Sequence, residues 1–462
     1  MFDRPTAEAN PSKRFGRKQA QTIMTRASHR KPFARLEWDR SSDAKLKPAE
    51  LQLWSEAFPQ PKQTNTAIQS RLIHGENASV MTALLDEFEG QIDLIYADPP
   101  FLTGKAYRAR IGQGEDSRAP KSWRTTQGFH DNWSDGAAYL DMLFPRLQLM
   151  HNLLSESGTL YLHLDWHASA YARVLMDEIF GPDRLINEIV WVYHGPSPIR
   201  SAFNRKHDTI LAYSKSKEYT FNADDVRVAY NPSTIKTFES SSRAGFGKQP
   251  DLERGKVPED WWYFPVVARL HKERTGYPTQ KPEALLERII LASSNPGDLV
   301  ADFFSGSGTS VSVAARLKRR WLACDPAPTA FTTTYRRLLM TPGVGPFTLW
   351  KTADTQDEPT LDLEVQITTN EAQVEARIET ISSRDSAELQ FPEDLVLWEV
   401  DWLHENEIFQ SQTQALRTWR SDEISLQLQH QYSSAGVYKL RIRAFDSLGR
   451  YGLFSYKVQI KQ

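Results

Sequence analysis

Two short stretches of this chain set polar side chains beside backbone that is either rigid or glycine-rich. The first is Asp98-Pro99-Pro100-Phe101, which closes an apolar run at residues 92–97. Its two prolines remove two N–H donors and stiffen the turn, so its carbonyls are free to accept hydrogen bonds. A carboxylate next to such a carbonyl makes a pair of acceptors suited to an amino group, and the aromatic after it can stack on a flat ring. Asp and Pro also make ordinary strand-ending turns, so taken alone this motif supports either reading. The second is Asp302-Phe303-Phe304-Ser305-Gly306-Ser307-Gly308-Thr309, again at a strand end and opening a helix. Glycines there let the backbone approach a ligand closely, and the helix N-terminus favours a carboxylate or hydroxyls. No lysine follows as in GxxxxGK[ST], and the pattern is not a full GxGxxG; the first excludes a phosphate loop and the second weakens a dinucleotide reading. The next strand ends at Cys324-Asp325, an acid positioned to hold a ribose diol. A third stretch, Tyr277-Pro278-Thr279-Gln280-Lys281-Pro282, offers hydrogen bonds from Thr279 and Gln280 and a cation, Lys281, for a carboxylate. Pro282 also suits the start of a helix.

These residues need a scaffold, and the pattern around them supplies one. Apolar runs at 72–74, 92–97, 159–164, 187–193, 209–213, 299–304 and 321–324 read as strands. Helical patterns at 77–88, 166–180, 283–293 and 310–317 lie between several of them, which predicts a mainly parallel α/β sheet with both faces covered. After about residue 355 alternating runs at 361–367, 424–428, 437–444 and 454–460 predict an all-β sandwich of about 100 residues. The expected domains are therefore a lead-in at 1–70, the α/β unit at 71–354 and the sandwich at 355–462.

A formal charge of −2 excludes a wholly basic DNA-coating protein and an acidic disordered chain. One cysteine, Cys324, excludes disulfide scaffolds and cysteine-rich zinc modules and fits a reducing cytosol. No apolar run approaches the ~20 residues of a membrane span, and the N-terminus lacks the apolar core of a secretory signal. The near-zero charge is a cancellation: residues 1–40 hold ten lysines and arginines against four acids, whereas residues 355–462 hold ten against eighteen. The basic end reads as an extended arm, either a nucleic-acid contact or a solubilising tail.

In this order, the Asp-Pro-Pro-Phe turn, the Tyr-Pro-Thr-Gln-Lys-Pro stretch, the glycine turn and the acid after it resemble the DNA amino-methyltransferases of the β class, closest to type III modification subunits. Asn132-Trp133-Ser134-Asp135, the run at 158–165, the run at 176–181 and His207-Asp208-Thr209-Ile210 are similar as well. The resemblance covers residues 70–340. It implies a Rossmann-like S-adenosylmethionine-dependent sheet in circularly permuted order, with the catalytic motif ahead of the cofactor motif. It also implies that a target base is flipped out of double-stranded DNA, since it cannot be reached inside the duplex. Asp98 and the Pro99 carbonyl then accept the two amino N–H bonds, Pro100 stiffens the turn and Phe101 stacks on the base. The nitrogen attacks the sulfonium methyl in line, helped mainly by positioning, and Asp98 takes the proton afterwards. Cofactor contacts carry over to Glu76, Thr279, Gln280, Lys281, Asp302, Phe303, Phe304, Ser305, Gly306, Gly308, Thr309 and Asp325. Leu102 stands where relatives often carry Asn, and Glu76 where Asp is usual. An acid before Pro-Pro favours adenine N6 as the target. N4-cytosine methylation, or a non-catalytic DNA-binding scaffold with the same fold, are the alternatives. No histidine spacing suggests a metal, and His163 and Asp165 read as support for the sheet or the site.

Residues 102–131 read as a flexible basic loop beside the catalytic turn, either a DNA clamp or a solvated surface, with Lys105, Arg108, Arg110, Arg118, Lys121 and Arg124. Residues 196–260, including Phe203, Arg205 and Lys206, occupy the position of the family's target-recognition segment. In the acidic end, Tyr432–Tyr438 and Arg443–Gly449 resemble the closing strands of PKD-like, immunoglobulin-type sandwiches. Its charge argues against tracking phosphates, and it is expected to dock a partner such as a restriction or defence subunit, to form a homodimer or to stabilise the chain. A cytoplasmic place in a prokaryotic or phage setting completes the expectation.

Overall fold

The computed structural model describes residues 34–38, 46–59, 68–111, 124–240, 250–268, 271–355, 358–384, 389–419, 421 and 423–461. The basic arm up to residue 33, together with Arg118 and Lys121, lies outside them. In chain order come β1 (Leu51–Ala57), β2 (Arg71–His74), α1 (Asn77–Phe88), β3 (Ile92–Ala97), β4 (Lys105–Ile111), β5 (Arg124–Asp131), α2 (Gly136–Leu153), β6 (Leu154–Leu164) and α3 (Ser169–Phe180). Then follow β7 (Leu185–Val192), β8 (His207–Ser214), α4 (Pro232–Ser240), β9 (Trp261–Tyr263), α5 (Glu283–Ser293), β10 (Leu299–Asp302), α6 (Thr309–Arg316), β11 (Arg320–Asp325), α7 (Pro328–Met340) and β12 (Phe347–Thr352).

An eleven-stranded sheet has the order β16-β1-β12-β2-β11-β10-β3-β6-β8-β7-β9, where β16 is Phe409–Ser411. From β12 to β6 its strands run parallel. β8 runs antiparallel to β6 and to β7. Side chains alternate between two cores, as the period of a strand demands. Along β11, Leu322 and Cys324 join the core under α1, α2 and α3, whereas Trp321 and Ala323 join the one under α5, α6 and α7. β3 and β10 are neighbours although β3 comes far earlier in the chain, so the mainly parallel sheet is present in the permuted order that the motifs imply.

Three features differ from the sequence expectation. The lead-in is not all arm: β1 pairs antiparallel with β12 and lies inside the sheet. The segment 102–131 is not simply a flexible loop, because β4 and β5 form an antiparallel hairpin. Tyr107 and Phe129 face each other across it and stack at 4.8 Å, the kind of cross-strand aromatic pair that stabilises a ribbon.

The third difference is the C-terminal module, formed by β13 (Leu361–Asn370), β14 (Gln373–Ser383), β15 (Leu395–Asp401), β17 (Thr413–Leu416), β18 (Gln427–Gln431), β19 (Gly436–Asp446) and β20 (Tyr451–Ile460). Its order is β17-β15-β19-β20-β13-β14-β18, and β20 meets β13 through the single pair Leu361–Gly452. Two leaves thus fold over one core in which Val374 and Ile378 of β14 meet Trp398, Leu440 and Ile442, so the expected sandwich is present. It is not a separate body, however. β16 runs parallel to β1, and Val396, Leu397, Phe445 and Tyr451 belong to the same core as α5, α6 and α7. Inside that junction Arg443 Nε donates to Glu399 Oε1 at 2.6 Å and Arg443 Nη2 to Ser55 Oγ at 3.0 Å. Tyr335 donates to Glu399 Oε2 at 2.6 Å.

Removing one partner of such a buried pair leaves an uncompensated charge. Arg443→Leu should therefore cost about 3–5 kcal/mol of stability. Calorimetry should show the α/β part and the module melting together, because they share a core. Two well-separated transitions in the wild type would show the module to be independent.

Candidate active site

The catalytic-type turns lie together because their strands do. β2, β11, β10, β3 and β6 all point their carboxyl ends to one edge, the place where ligands bind in open α/β sheets. A cavity of about 700 Å³ opens there, bounded by the turns after β3, β10 and β11, the β4–β5 hairpin and residues 277–281.

Asp98 follows β3. Its Oδ2 accepts from Lys281 Nζ, while its buried Oδ1 has no hydrogen-bond partner among the described residues. Lys281, read from the sequence as a cation for a carboxylate and as a cofactor contact, lines the cavity, is buried, pairs with the Asp98 carboxylate and lies 5.2 Å from the centroid of the Phe101 ring. Phe101 itself stacks on His163, centroid to centroid 5.8 Å at 28°. Beneath it runs a buried chain of hydrogen bonds. His163 Nδ1 meets Tyr96 Oη at 2.7 Å and its Nε2 meets Asp208 Oδ2 at 3.2 Å, while Tyr193 donates to Asp208 Oδ1 at 3.0 Å. Burial would raise the Asp208 carboxyl, but His163, the Lys281 charge and the Tyr193 hydrogen bond together outweigh it and hold it below its ordinary value. His163 is thus a support of the site, as the sequence suggests. Asp165 instead accepts from the backbone N–H of its neighbour His167 at 2.8 Å.

Asp131, which nothing in the sequence singles out, clamps the turn. Its carboxylate accepts from Leu102 N at 2.8 Å, Thr103 N at 2.9 Å and Trp133 Nε1 at 3.1 Å. Leu102 has φ of 67°, a left-handed conformation that Asn adopts more readily than a bulky residue. Leu102 therefore strains the backbone here, and Asp131 holds it through the Leu102 and Thr103 amides.

The glycine turn sits beside it. Gly308 has φ of 70°, and a Cβ there would lie 2.7 Å from the Thr334 side chain, so only glycine fits. Asp302 is buried and accepts from Phe304 N at 2.9 Å and from Ser310 Oγ. Burial, with Asp98 and Asp325 nearby, pushes its carboxyl up to about 7. Asp325 receives Gly306 N at 2.9 Å and Ala327 N at 3.0 Å, yet burial still lifts its carboxyl to about 6. Ser305 lines the cavity with a buried hydroxyl that has no partner among the described residues. Glu76 caps α1 through Ser79 N at 3.0 Å and pairs with Arg146. Although burial raises its carboxyl, Arg146 lowers it further.

Thr279, Gln280, Phe303 and Thr309 also line the cavity and in addition make contacts within the scaffold. Gln280 spends its side chain on Thr275 N at 2.9 Å and on the Glu273 carbonyl at 2.6 Å. The Phe303 ring is fully buried, and its carbonyl accepts from Asn77 Nδ2 at 2.9 Å. Thr309 accepts from Arg337 at 2.9 Å. Thr279 holds φ of 57°, and its carbonyl accepts from Lys281 at 3.3 Å. Lys105 and Arg108 are exposed on the hairpin, as are Arg205 and Phe203 on the loop from β7 to β8. Lys206, on the same loop, donates to the Pro196 carbonyl. The side chains of Arg110 and Arg124 are not among those described. The sequence also missed Trp166, half exposed after β6 with the Arg205 guanidinium 4.2 Å from its ring centroid. No group of three or more metal-type ligands occurs among the described residues.

A sheet edge that gathers an acid-proline turn, a glycine turn and a strand-end acid is an α/β ligand site with groups suited to a nucleoside. The chain belongs to the DNA methylase family, whose model matches residues 92–336. It is 31% identical over 258 residues to DNA adenine methyltransferase YhdJ of Escherichia coli K12, covering 55% of this chain and 77% of the relative. It is 32% identical over 250 residues to type II methyltransferase M.HpaI of Haemophilus parainfluenzae, covering 54% and 68%. Among solved structures, TTHA0409 of Thermus thermophilus complexed with S-adenosyl-L-methionine matches at 20% identity and a TM-score of 0.39, covering 62% of this chain and 98% of that one.

The unfolded chain releases the Asp302 proton near 3.8 and the folded one near 7, so the fold loses stability as pH rises through that window; above it the penalty is constant. Asp302→Asn should gain in melting temperature relative to the wild type across the same interval. A difference between the two that is flat with pH would show Asp302 to be ionised throughout.

Proposed function

We propose that the chain transfers a methyl group to the N6 amino group of an adenine flipped out of double-stranded DNA. The observation that carries this is the unpartnered Asp98 Oδ1, held at a strand end in the same cavity as the glycine turn. S-adenosylmethionine is the cofactor, and when bound it supplies an electrophilic methyl group on a positively charged sulfur. The residues fit it: five acids, Glu76, Asp98, Asp131, Asp302 and Asp325, outnumber the cations Arg146 and Lys281 around the cavity, which favours a cationic ligand. Asp325 would hold the ribose hydroxyls, and the Ser305 hydroxyl is free to take a further polar group.

Asp98 Oδ1 and the Pro99 carbonyl accept the two amino N–H bonds, drawing the nitrogen lone pair out of the ring plane. Lys281 fixes the other carboxylate oxygen, so Oδ1 points at one place. Phe101, braced by His163, stacks on the base. Asp98 Oδ1 takes the proton that the amino nitrogen gives up. The acid before Pro-Pro favours adenine over cytosine, in keeping with the adenine-methylating relative from Escherichia coli. A cytoplasmic location goes with a DNA substrate.

The DNA-facing surface in this reading is the β4–β5 hairpin with Lys105 and Arg108 and the loop between β7 and β8. That loop is rigid where it matters: Asn204 Oδ1 accepts from Ile199 N at 3.0 Å and its Nδ2 donates to Ile199 O at 3.1 Å. Beside this clasp Phe203 is 98% exposed and Arg205 rests on Trp166. An apolar wedge flanked by cations suits a distorted duplex.

Incubation with labelled S-adenosylmethionine and mixed-sequence DNA, followed by nucleoside analysis, should yield N6-methyladenine. N4-methylcytosine alone would overturn the adenine assignment, and no cofactor binding would favour a scaffold. Asp98→Ala should lower transfer at least about 100-fold while cofactor binding persists. Loss of both together would contradict the role given to Asp98. Arg205→Ala should reduce the salt dependence of DNA binding by about one unit of slope.

A further inference from the structure

We propose that the C-terminal module forms part of the cofactor site, with Leu448 as the wall against the adenosine end of S-adenosylmethionine. This rests on the cofactor reading above and gives the module a role in it.

The turn between β19 and β20 reaches back to the α/β sheet. Leu448, at its tip, is half-buried and lines the same cavity as Asp325, Pro326, Ala327 and Thr329. The next residue fixes the approach. Gly449 has φ of 83°, and a Cβ on it would lie 2.6 Å from the carbonyl carbon and oxygen of Pro328. Any other residue would push the tip away from the segment that follows Asp325.

The turn is held rigidly. Asp446, 1% exposed, accepts from Leu448 N and Arg450 N at 2.9 Å each and from Arg450 Nε at 2.8 Å. Ser447 N donates to the Asp394 carbonyl at 2.9 Å, tying the turn to its own module. The shared core and the Arg443–Glu399 pair then fix the module to the sheet. Leu448 is therefore positioned from two sides and does not depend on a mobile loop.

The chemistry at this end of the cavity suits a nucleoside. Pro326, Ala327, Pro328 and Leu448 offer apolar surface for a flat ring, and Asp325 lies next to them for a diol. Thr329, 7% exposed, carries in the same wall a buried hydroxyl without a hydrogen-bond partner among the described residues. That hydroxyl is a free group for a ring nitrogen or an exocyclic amine. The module's acidic surface keeps it off DNA, while its apolar tip serves the cofactor.

The test is calorimetric titration of the full chain with S-adenosylmethionine. Leu448→Ala should weaken binding roughly tenfold, the loss expected when an aliphatic contact on a ring is removed. Leu448→Trp, which crowds the same wall, should weaken it too. Both variants should match the wild type in ligand-free melting temperature and in DNA affinity. Val437→Ala, an exposed position elsewhere in the module, should bind as the wild type does. In the wild type, the cofactor should slow amide exchange at residues 446–450. Unchanged affinity in both Leu448 variants, or no protection of that turn, overturns the proposal. If the wild type itself fails to bind, the cofactor reading falls and this one with it, a result distinct from a selective loss in the variants.

Discussion

Parallel pairing of β3 with β10, in which Leu94 faces Val300 and Ile95 faces Ala301, holds the rest of the site together. It sets the turns after the two strands side by side, so the Asp98 carboxylate and the glycine turn open into one cavity. Everything else tunes that placement. Asp131 clamps the first turn, Thr334 packs under the second, and the hairpin roofs the space between them. Without this one pairing the two motifs would be unrelated stretches of polar chain.

The same proximity has an electrostatic cost. Asp98, Asp302 and Asp325 lie near enough for their charges to oppose one another, and burial raises Asp302 and Asp325. Three devices offset this: the Lys281 ammonium on Asp98, the Ser310 hydroxyl on Asp302 and backbone N–H groups on Asp325. A ligand bearing positive charge would relieve this cost, which suits a sulfonium cofactor.

Much of this was legible in the chain. The runs before Asp98, Asp302 and Asp325 end in residues that cannot continue a strand or that open a helix, so β3, β10 and β11 stand out locally. α5 is likewise bounded by Pro282 and by the end of its apolar period. The contacts that the sequence hides are long-range. Lys281 and Asp98 are 183 positions apart, and a lysine in a polar stretch carries no mark of the acid it will meet. β16 has three residues, too few for a period to register. The hairpin is missed because its strands are largely polar and its pairing depends on Tyr107 finding Phe129. Asp131 looks like any acid in a turn until the backbone amides it holds are seen.

The pairing of β16 with β1 has a temporal meaning. Ser55, on an inner strand, donates its hydroxyl to the Phe409 carbonyl, 354 residues further along the chain. During synthesis the α/β part therefore emerges long before the strand that seals its outer edge. A polypeptide released early would carry both motifs yet lack that edge strand and part of its shared core. The later part thus contributes to the final stability of the earlier one.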